Sequence, residues 1–332
     1  MNAWGPAARQ APRKRRRSKD KGPLRQWVEY ALAISVLAVV RWLPYGACEA
    51  LAAGAGEAIF WLLPRRRRVA RLNLRVAFPE MAEEERTRIA RASCRSFVLT
   101  GLEGVKFLYG FDVKRASGRA ARAVEGVEAL LARARSLHER AGGCVFVTPH
   151  LGNWEFLLHA AALAGIPLVT VVRPLDNARL ERALFGMRAS SGQEVLSKRD
   201  AFFHLRSALR RGKSVGILSD QHAGRQGLEV PFFGRPASTT TAPAALAVHF
   251  QRPIVLVACV RKERGRGYWA SVGEPLWPEP SADALAEIGR LTAALNGQME
   301  ALIRRAPEQY LWIHDRWKLL GGGRAGRGVM VP

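Results

Sequence analysis

Val145-Phe146-Val147-Thr148-Pro149-His150-Leu151-Gly152-Asn153-Trp154-Glu155 carries the decision about this chain. Its β-branched and aromatic opening predicts a buried strand ending at Thr148. Pro149 forces a turn, Gly152 permits close backbone approach, and Asn153 suits the N-cap of a helix that starts at Trp154. His150 then falls in a loop above a helix N-terminus, with Glu155 in that helix's first turn. On one continuous helix these two side chains would stand about 140° apart, so the spacing brings them together only if the loop folds His150 back. A carboxylate bonded to one imidazole nitrogen fixes the tautomer and raises basicity, leaving the other nitrogen to take a proton from a hydroxyl. Glu155 is the expected orienting acid. By itself a His–Glu pair is not a specific signal.

Outward from this stretch, short β-rich runs alternate with helical ones. Residues 144–148, 167–173, 214–219 and 254–261 read as strands, and 154–164, 178–189 and 201–211 as helices. Residues 83–109 and 124–140 carry apolar side chains at helical spacing. Alternation of this kind predicts an α/β fold with a central, mostly parallel mixed sheet flanked by helices. In such sheets ligands bind outside the strands' carboxyl ends. The residues there are His150, Arg173, Asp220 with Gln221, and the loop Phe233-Gly234-Arg235. Arg173 suits bidentate contact with a phosphate or carboxylate. Asp220 and Gln221 can hold acceptor hydroxyls or tether Arg173, or Asp220 can cap a turn. Arg235, beside flexible Gly234, can meet a second anionic group or be an ordinary loop arginine. The amides from Gly152 to Trp154 are placed to stabilise an oxyanion.

Across 332 residues, 52 Lys+Arg against 28 Asp+Glu leave a net charge of +24, with 48% hydrophobic residues. The chain can bury a full core, and its charge calls for anionic partners. Nine basic residues in 1–26 face Asp20 alone, so that segment reads as a disordered basic arm. Residues 27–63 are strongly apolar, with Trp27, Trp42 and Trp61 along them. The longest uncharged run there, 30–40, is shorter than the roughly 18–20 residues of a spanning helix. Two geometries fit: a tilted span over 27–47, or two apolar helices broken at Pro44 and Gly46. Basic clusters at both ends, the arm and Arg65 to Arg68, favour an interfacial hairpin on the cytoplasmic face. Residues 64–320 form the main domain and 321–332 a flexible tail. Cys48, Cys94, Cys144 and Cys259 are too far apart in sequence for a CxxC metal or redox pair. No metal or cofactor is expected, and the basic arm has neither the aromatic interleaving nor the motifs of a nucleic-acid binder.

The sequence His150-Leu-Gly-Asn-Trp-Glu155 resembles the HxxxxD/E motif of the glycerolipid acyltransferases, in the form found in the bacterial lipid A late acyltransferases. Further landmarks match from about Trp27 to Lys318: Arg71-Leu-Asn73-Leu-Arg-Val-Ala-Phe78-Pro79-Glu80, Val172-Arg173-Pro174, Ser219-Asp220-Gln221, Pro231-Phe232-Phe233-Gly234-Arg235, and Pro307-Glu-Gln-Tyr310-Leu-Trp312-Ile-His314-Asp315-Arg316-Trp317-Lys318. One landmark departs: the family usually reads His-Arg-Arg-Phe-Lys where this chain has His314-Asp315-Arg316-Trp317-Lys318.

The resemblance implies a glycerol-3-phosphate acyltransferase-like fold and transfer of a fatty acyl chain from an acyl carrier protein thioester to a hydroxyl of a lipid A precursor. The place implied is the cytoplasmic face of a bacterial inner membrane. His150 would be the general base, oriented by Glu155, with Gly152, Asn153, Arg173, Pro174, Asp220, Gln221 and Arg235 around the acceptor. Acyl-CoA as donor, and phosphatidylinositol mannoside, ornithine lipid or lysophospholipid as acceptor, are the alternatives within the same fold. The partners implied are acyl carrier protein, an anionic membrane and a glycolipid; a monomer is expected.

Overall fold

A computed structural model describes residues 22–110, 124–125, 127–172, 175–189, 194–197, 201–262 and 267–320. The basic arm to residue 21, the tail from 321, and Arg173 with Pro174 lie outside them.

Among the described residues four helices come first: α1 (Pro23–Trp42), α2 (Tyr45–Leu62), α3 (Pro64–Ala77) and α4 (Glu83–Gly110). Of the two expected geometries the chain takes two separate helices, broken at Leu43 and Pro44 only. Gly46 sits inside the first turn of α2, where its amide needs no intrahelical partner. Pro64, at the start of α3, interrupts the path again, and α2 and α3 meet at 93°. Along α2 the ridge Cys48, Ala52, Gly56 and Phe60 is buried at i+4 spacing. A side chain at Gly56 would come within 2.6 Å of the Arg95 backbone, so glycine lets α2 and α4 approach closely.

The main sheet has seven strands in the order β1-β9-β8-β2-β5-β3-β4: β1 (Val124–Glu125), β2 (Val145–Thr148), β3 (Leu168–Val172), β4 (Glu194–Ser197), β5 (Ser214–Leu218), β8 (Ile254–Arg261) and β9 (Tyr268–Val272). From β8 to β4 all neighbours are parallel; β9 runs antiparallel to β8. Between them come α5 (Val127–Ala141), α6 (Trp154–Leu163), α7 (Ala178–Ala189), α8 (Ala201–Arg210), α9 (Ala242–Phe250) and, after β9, α10 (Ala284–Arg304). The expected mostly parallel α/β sheet is therefore present. One boundary differs: Val124 and Glu125 pair with β9 as an edge strand, and the helix expected from 124 begins at Val127.

Near-continuous apolar strands such as Val145–Thr148 and Ile254–Arg261 are what a sheet covered on both faces requires. Alternation assigns the faces. Val145, Val147, Val215 and Leu256 pack with Leu205 and Leu209 of α8, Leu246 of α9, and Leu295 and Met299 of α10. Phe146, Leu168 and Val255 face the other way, onto Ala134 and Leu137 of α5.

A separate hairpin, β6 (Leu228–Phe232) and β7 (Arg235–Thr239), turns on Phe233 and Gly234, both at positive φ (51° and 70°). Two left-handed residues in a two-residue loop match the twist of the flanking strands. Buried Arg316 fixes this hairpin by donating to the Ser238 carbonyl and to Thr239 Oγ1, each at 2.6 Å. The landmark residues of α3 and the C-terminal segment also meet: Asn73 Nδ2 donates to the carbonyls of Trp312 and His314.

Candidate active site

The segment from Pro149 to Asn153 crosses the carboxyl edge of the sheet, and four elements hold its backbone. The His150 amide donates to Asp220 Oδ2 (2.9 Å), and the His150 carbonyl accepts from the Leu311 amide (3.0 Å). The Gly152 amide donates to the Gln309 carbonyl, its carbonyl accepts from Thr100 Oγ1, and the Asn153 amide donates to the Cys259 carbonyl. Gly152 has φ +61°, and a Cβ there would lie 2.2 Å from the Cys259 carbonyl oxygen. Both conditions require glycine. Asn153 caps α6 as its sequence position predicts, its Oδ1 accepting from the Phe156 amide at 3.0 Å.

His150 is set by Asp220. Its Nδ1 lies 2.7 Å from Asp220 Oδ1, so the same carboxylate holds both the ring and the backbone amide of one residue. Tyr310 is buried near Asp220, and burial followed by that carboxylate's negative charge pushes the phenol well above its ordinary range. Burial disfavours the charged forms of both His150 and Asp220, yet their mutual attraction outweighs it: the imidazole is raised above its ordinary 6.5 and the carboxyl is lowered below 3.8.

Glu155 was the expected orienting acid, and the geometry differs. Glu155 stands in the first turn of α6, lines the same cavity as His150, and contributes a smaller through-space pull on the imidazole after Asp220. The carboxylate on Nδ1 comes instead from the end of β5, 70 residues away in sequence, because β2 and β5 are adjacent parallel strands whose carboxyl ends share one edge.

The opposite nitrogen, Nε2, has Gln221 Nε2 at 3.4 Å, beyond the range of a strong hydrogen bond. Trp154 packs edge-to-face on the imidazole with centroids 5.1 Å apart. Behind this mouth lies a cavity of about 780 Å³ lined by Leu130, Leu131, Ala134, Phe146, Leu157, Ala161, Ile166 and Leu168 along its apolar reach, with His150, Glu155 and Gln221 at the polar end. Gly216 in β5 is part of the cavity wall and packs closely on Thr170, since a Cβ there would lie 2.8 Å from Thr170 Cγ2.

The other expected site residues divide. Gly152 and Asn153 are buried within the loop, with their amides committed to internal carbonyls. Of the amides from Gly152 to Trp154, those two are already spent on internal carbonyls, and the third belongs to Trp154, which opens α6. Arg235 opens β7 opposite Phe232 and is not among the residues lining the cavity. Asp315, at the departing landmark, accepts the Leu319 amide and closes a local turn. Tyr310 near Asp220, and Glu103 with Arg261 beneath the loop, have no local signal in the sequence. Among the described residues no group of three His, Cys, Asp or Glu side chains is arranged to hold a metal ion.

Fold and site together define an α/β enzyme that places an acid-bound imidazole at the mouth of an apolar cavity, on the carboxyl edge of a parallel sheet. The chain belongs to the bacterial lipid A biosynthesis acyltransferase family, whose model matches residues 15–319, and is an acyl-transferring enzyme. It is 30% identical over 297 residues to a lipid A biosynthesis lauroyltransferase of Escherichia coli, covering 89% of this chain and 92% of that one. Identity to the lipid A biosynthesis palmitoleoyltransferase of the same organism is 28% over 296 residues, with the same coverage. A phosphatidylinositol mannoside acyltransferase of Mycobacterium tuberculosis is 28% identical over 187 residues, covering 53% of this chain and 54% of that one.

Proposed function

We propose that this enzyme moves a fatty acyl chain from an acyl carrier protein thioester to a hydroxyl of a lipid A precursor or closely related glycolipid. The observation that carries the reading is the His150–Asp220 pair opening onto an apolar cavity of about 780 Å³. His150 Nε2 takes the acceptor hydroxyl's proton as its oxygen attacks the thioester carbonyl. The tetrahedral oxyanion then collapses, the C–S bond breaks, and the imidazolium returns its proton to the departing thiolate. Asp220 holds the ring's tautomer and stabilises the imidazolium. Glu155 adds negative potential at the same mouth, and the Trp154 amide faces the developing oxyanion. The acyl chain lies in the cavity over Phe146 and Leu168. The fold assigned in this reading is glycerol-3-phosphate acyltransferase-like, for which the mostly parallel sheet flanked by helices speaks.

The site works at a bilayer in this reading. Along α1, Leu24, Val28, Leu32, Val36 and Val39 are exposed at helical spacing with Trp27 and Trp42 near either end, while the opposite side packs on α4 and α7. An apolar stripe of this length in water calls for lipid. Over its 20 residues α1 is long and apolar enough to cross a membrane. The basic arm and Arg65 to Arg68 favour the cytoplasmic side of the inner membrane for the anchored face. The same positive surface suits an acidic carrier protein.

Purified protein offered lauroyl, myristoyl and palmitoleoyl carrier-protein thioesters and the matching acyl-CoAs, with a lipid A precursor and a phosphatidylinositol mannoside as acceptors, tests this. Ester formation on the lipid A precursor from the carrier thioester supports the reading. Transfer to the mannoside alone would assign the second acceptor, for which the mycobacterial relative speaks, and thioester hydrolysis without transfer would remove the glycolipid from it.

A further inference from the structure

Beneath the His150 loop lies a buried charge pair for which the reaction outlined above has no use. Arg261, the last residue of β8, donates from Nε and Nη2 to the carboxylate of Glu103 on α4, at 2.5 to 3.1 Å. Both side chains are withdrawn from solvent. Nη1 also donates to Ser96 Oγ and Nη2 to Thr100 Oγ1. Glu103 in turn accepts from Asn153 Nδ2 at 2.8 Å and from the Tyr45 hydroxyl at 2.8 Å.

Removing two charges from water costs several kcal/mol per ion, so a buried pair is a poor means of gaining stability when apolar side chains can fill the same volume. What it fixes here is geometry. Asn153 caps α6 through one side-chain atom and grips Glu103 through another, so the carboxylate sets where α6 begins, and with it Trp154 and Glu155. Thr100, held by Arg261, carries the Gly152 carbonyl, and the Gln309 side chain bonds both the amide and the carbonyl of Arg261 while its own carbonyl takes the Gly152 amide. Each of these paths leads from the ion pair to the segment between His150 and the start of α6. Tyr45 opens α2, the apolar helix packed on α4, and is its hydrogen bond into the network.

We propose that Glu103, Arg261 and Tyr45 are positioning residues for the transfer reaction, with Glu103 setting Asn153 and the start of α6, and Tyr45 tying that setting to the seating of α2. The proposal rests on the reading of His150 as the base, and it can fail separately from it.

Tyr45→Phe is the conservative test, since it deletes one hydroxyl. Because misplacement of a catalytic group by about 1 Å can cost about a hundred-fold, kcat is expected to fall between about ten- and a hundred-fold. KM for thioester and acceptor should stay within about two-fold on the same physical ground, that neither substrate touches the network. Amide hydrogen exchange in a peptide covering 150–158 should quicken, while one covering β2 stays as in the wild type. Glu103→Gln, which presents an amide N–H to a site where every partner is a donor, should show the larger loss. Combined with Tyr45→Phe it should lose little more than alone, since both act through one carboxylate.

Wild-type kcat and unchanged exchange in Tyr45→Phe, or a lowered melting temperature with kcat and KM intact in the folded range, would reduce the network to packing and overturn the proposal. If Glu103→Gln does not fold, Tyr45→Phe and its exchange readout decide alone. Full turnover in His150→Ala would instead overturn the reaction assigned to the site, and the exchange result would still stand or fall on its own.

Discussion

One carboxylate, that of Asp220, holds His150 twice, receiving its backbone amide through Oδ2 at 2.9 Å and facing its ring Nδ1 through Oδ1 at 2.7 Å. The imidazole is thereby fixed in position as well as in tautomer, with Nε2 turned toward the cavity. Asp220→Asn keeps the shape and a hydrogen bond to the backbone but removes the charge that stabilises an imidazolium. Turnover is expected to fall by about 10²–10⁴, the usual share of a general base, with the fold retained. Glu155→Gln, acting only through space on the ring, is expected to cost less. Steady-state rates of the two variants side by side check the order; a larger loss in Glu155→Gln would return the orienting role to that residue.

The same pair sets the pH dependence. Burial works to lower the His150 pKa, but Asp220 and, less, Glu155 carry it above 6.5. A base must be neutral to accept a proton, so activity should rise as pH climbs through this raised pKa, placing the acid limb of kcat/KM above that of an ordinary histidine. Asp220→Asn should shift that limb to lower pH. Stability runs the other way: a histidine with a raised folded pKa contributes fully below the unfolded value and loses that contribution as pH passes the folded one. A pH–rate profile and thermal melts across pH 5 to 9, about the range in which histidine titrates, give both signs.

Part of this site is legible in the sequence and part is not. The strands at 144–148 and 254–261 and the helix from Trp154 are legible because apolar period and capping chemistry are local properties. Leu291, Leu295, Met299 and Leu302 have the same helical spacing, so α10 was within reach of the same rule. His150 was legible as the loop residue between a strand and a helix. Its acid was not, because pairing β2 with β5 is a choice among many strand orders, and Asp220 reaches His150 only once that order is fixed. Glu155 drew attention by nearness in sequence, which on a helix start says little about direction. The Phe233-Gly234 turn was visible as a loop, but a phenylalanine at positive φ gives none of the usual Asn-Gly warning of a tight hairpin.

Gly152→Ala separates backbone demand from chemistry. A Cβ at φ +61° would be strained, and here it would also meet the Cys259 carbonyl at 2.2 Å. Strained backbone of this sort costs of order 1–3 kcal/mol, and the clash adds to it by forcing the loop away from β8. Loss of activity is therefore expected together with a clear drop in melting temperature. Asp220→Asn should show the first with a smaller change in the second, since it leaves the backbone unstrained and forfeits only the stability of the His150–Asp220 pairing. A Gly152→Ala protein with wild-type melting and rate would mean that the Asn153–Cys259 bond does not hold the loop.

Gly216→Val tests the cavity. Gly216 lies in β5 with its missing side chain directed at Thr170, and even a single Cβ would come within 2.8 Å of Thr170 Cγ2. A valine must push into the space between the sheet and α6, where the acyl chain is assigned. The preferred donor should shorten, with the kcat/KM ratio of the longest to the shortest accepted thioester falling by about ten-fold or more, since each buried methylene is worth about 0.8 kcal/mol. His150 lies at the polar end, away from the change, so the rate with the shortest donor should be little altered. An equal loss on all chain lengths would indicate damage to the site and place the chain elsewhere.

Removal of residues 1–21 leaves α1 whole, since that helix begins at Pro23. The exposed apolar stripe of α1 would still enter lipid, so membrane attachment is expected to survive on uncharged vesicles. What the deletion takes away is charge: of the arm's nine basic residues all but Arg25 go, along with Asp20. Each lysine or arginine near an anionic surface contributes about 1 kcal/mol, and the contribution is screened by salt. Binding to phosphatidylglycerol-containing vesicles should weaken and lose much of its salt dependence, while turnover on detergent-dispersed substrates stays within about two-fold, because no described part of the site depends on the arm. Flotation at low and high salt, paired with that activity, distinguishes an electrostatic tether from a segment the reaction needs: equal vesicle binding with lost turnover would assign the arm to the carrier protein instead.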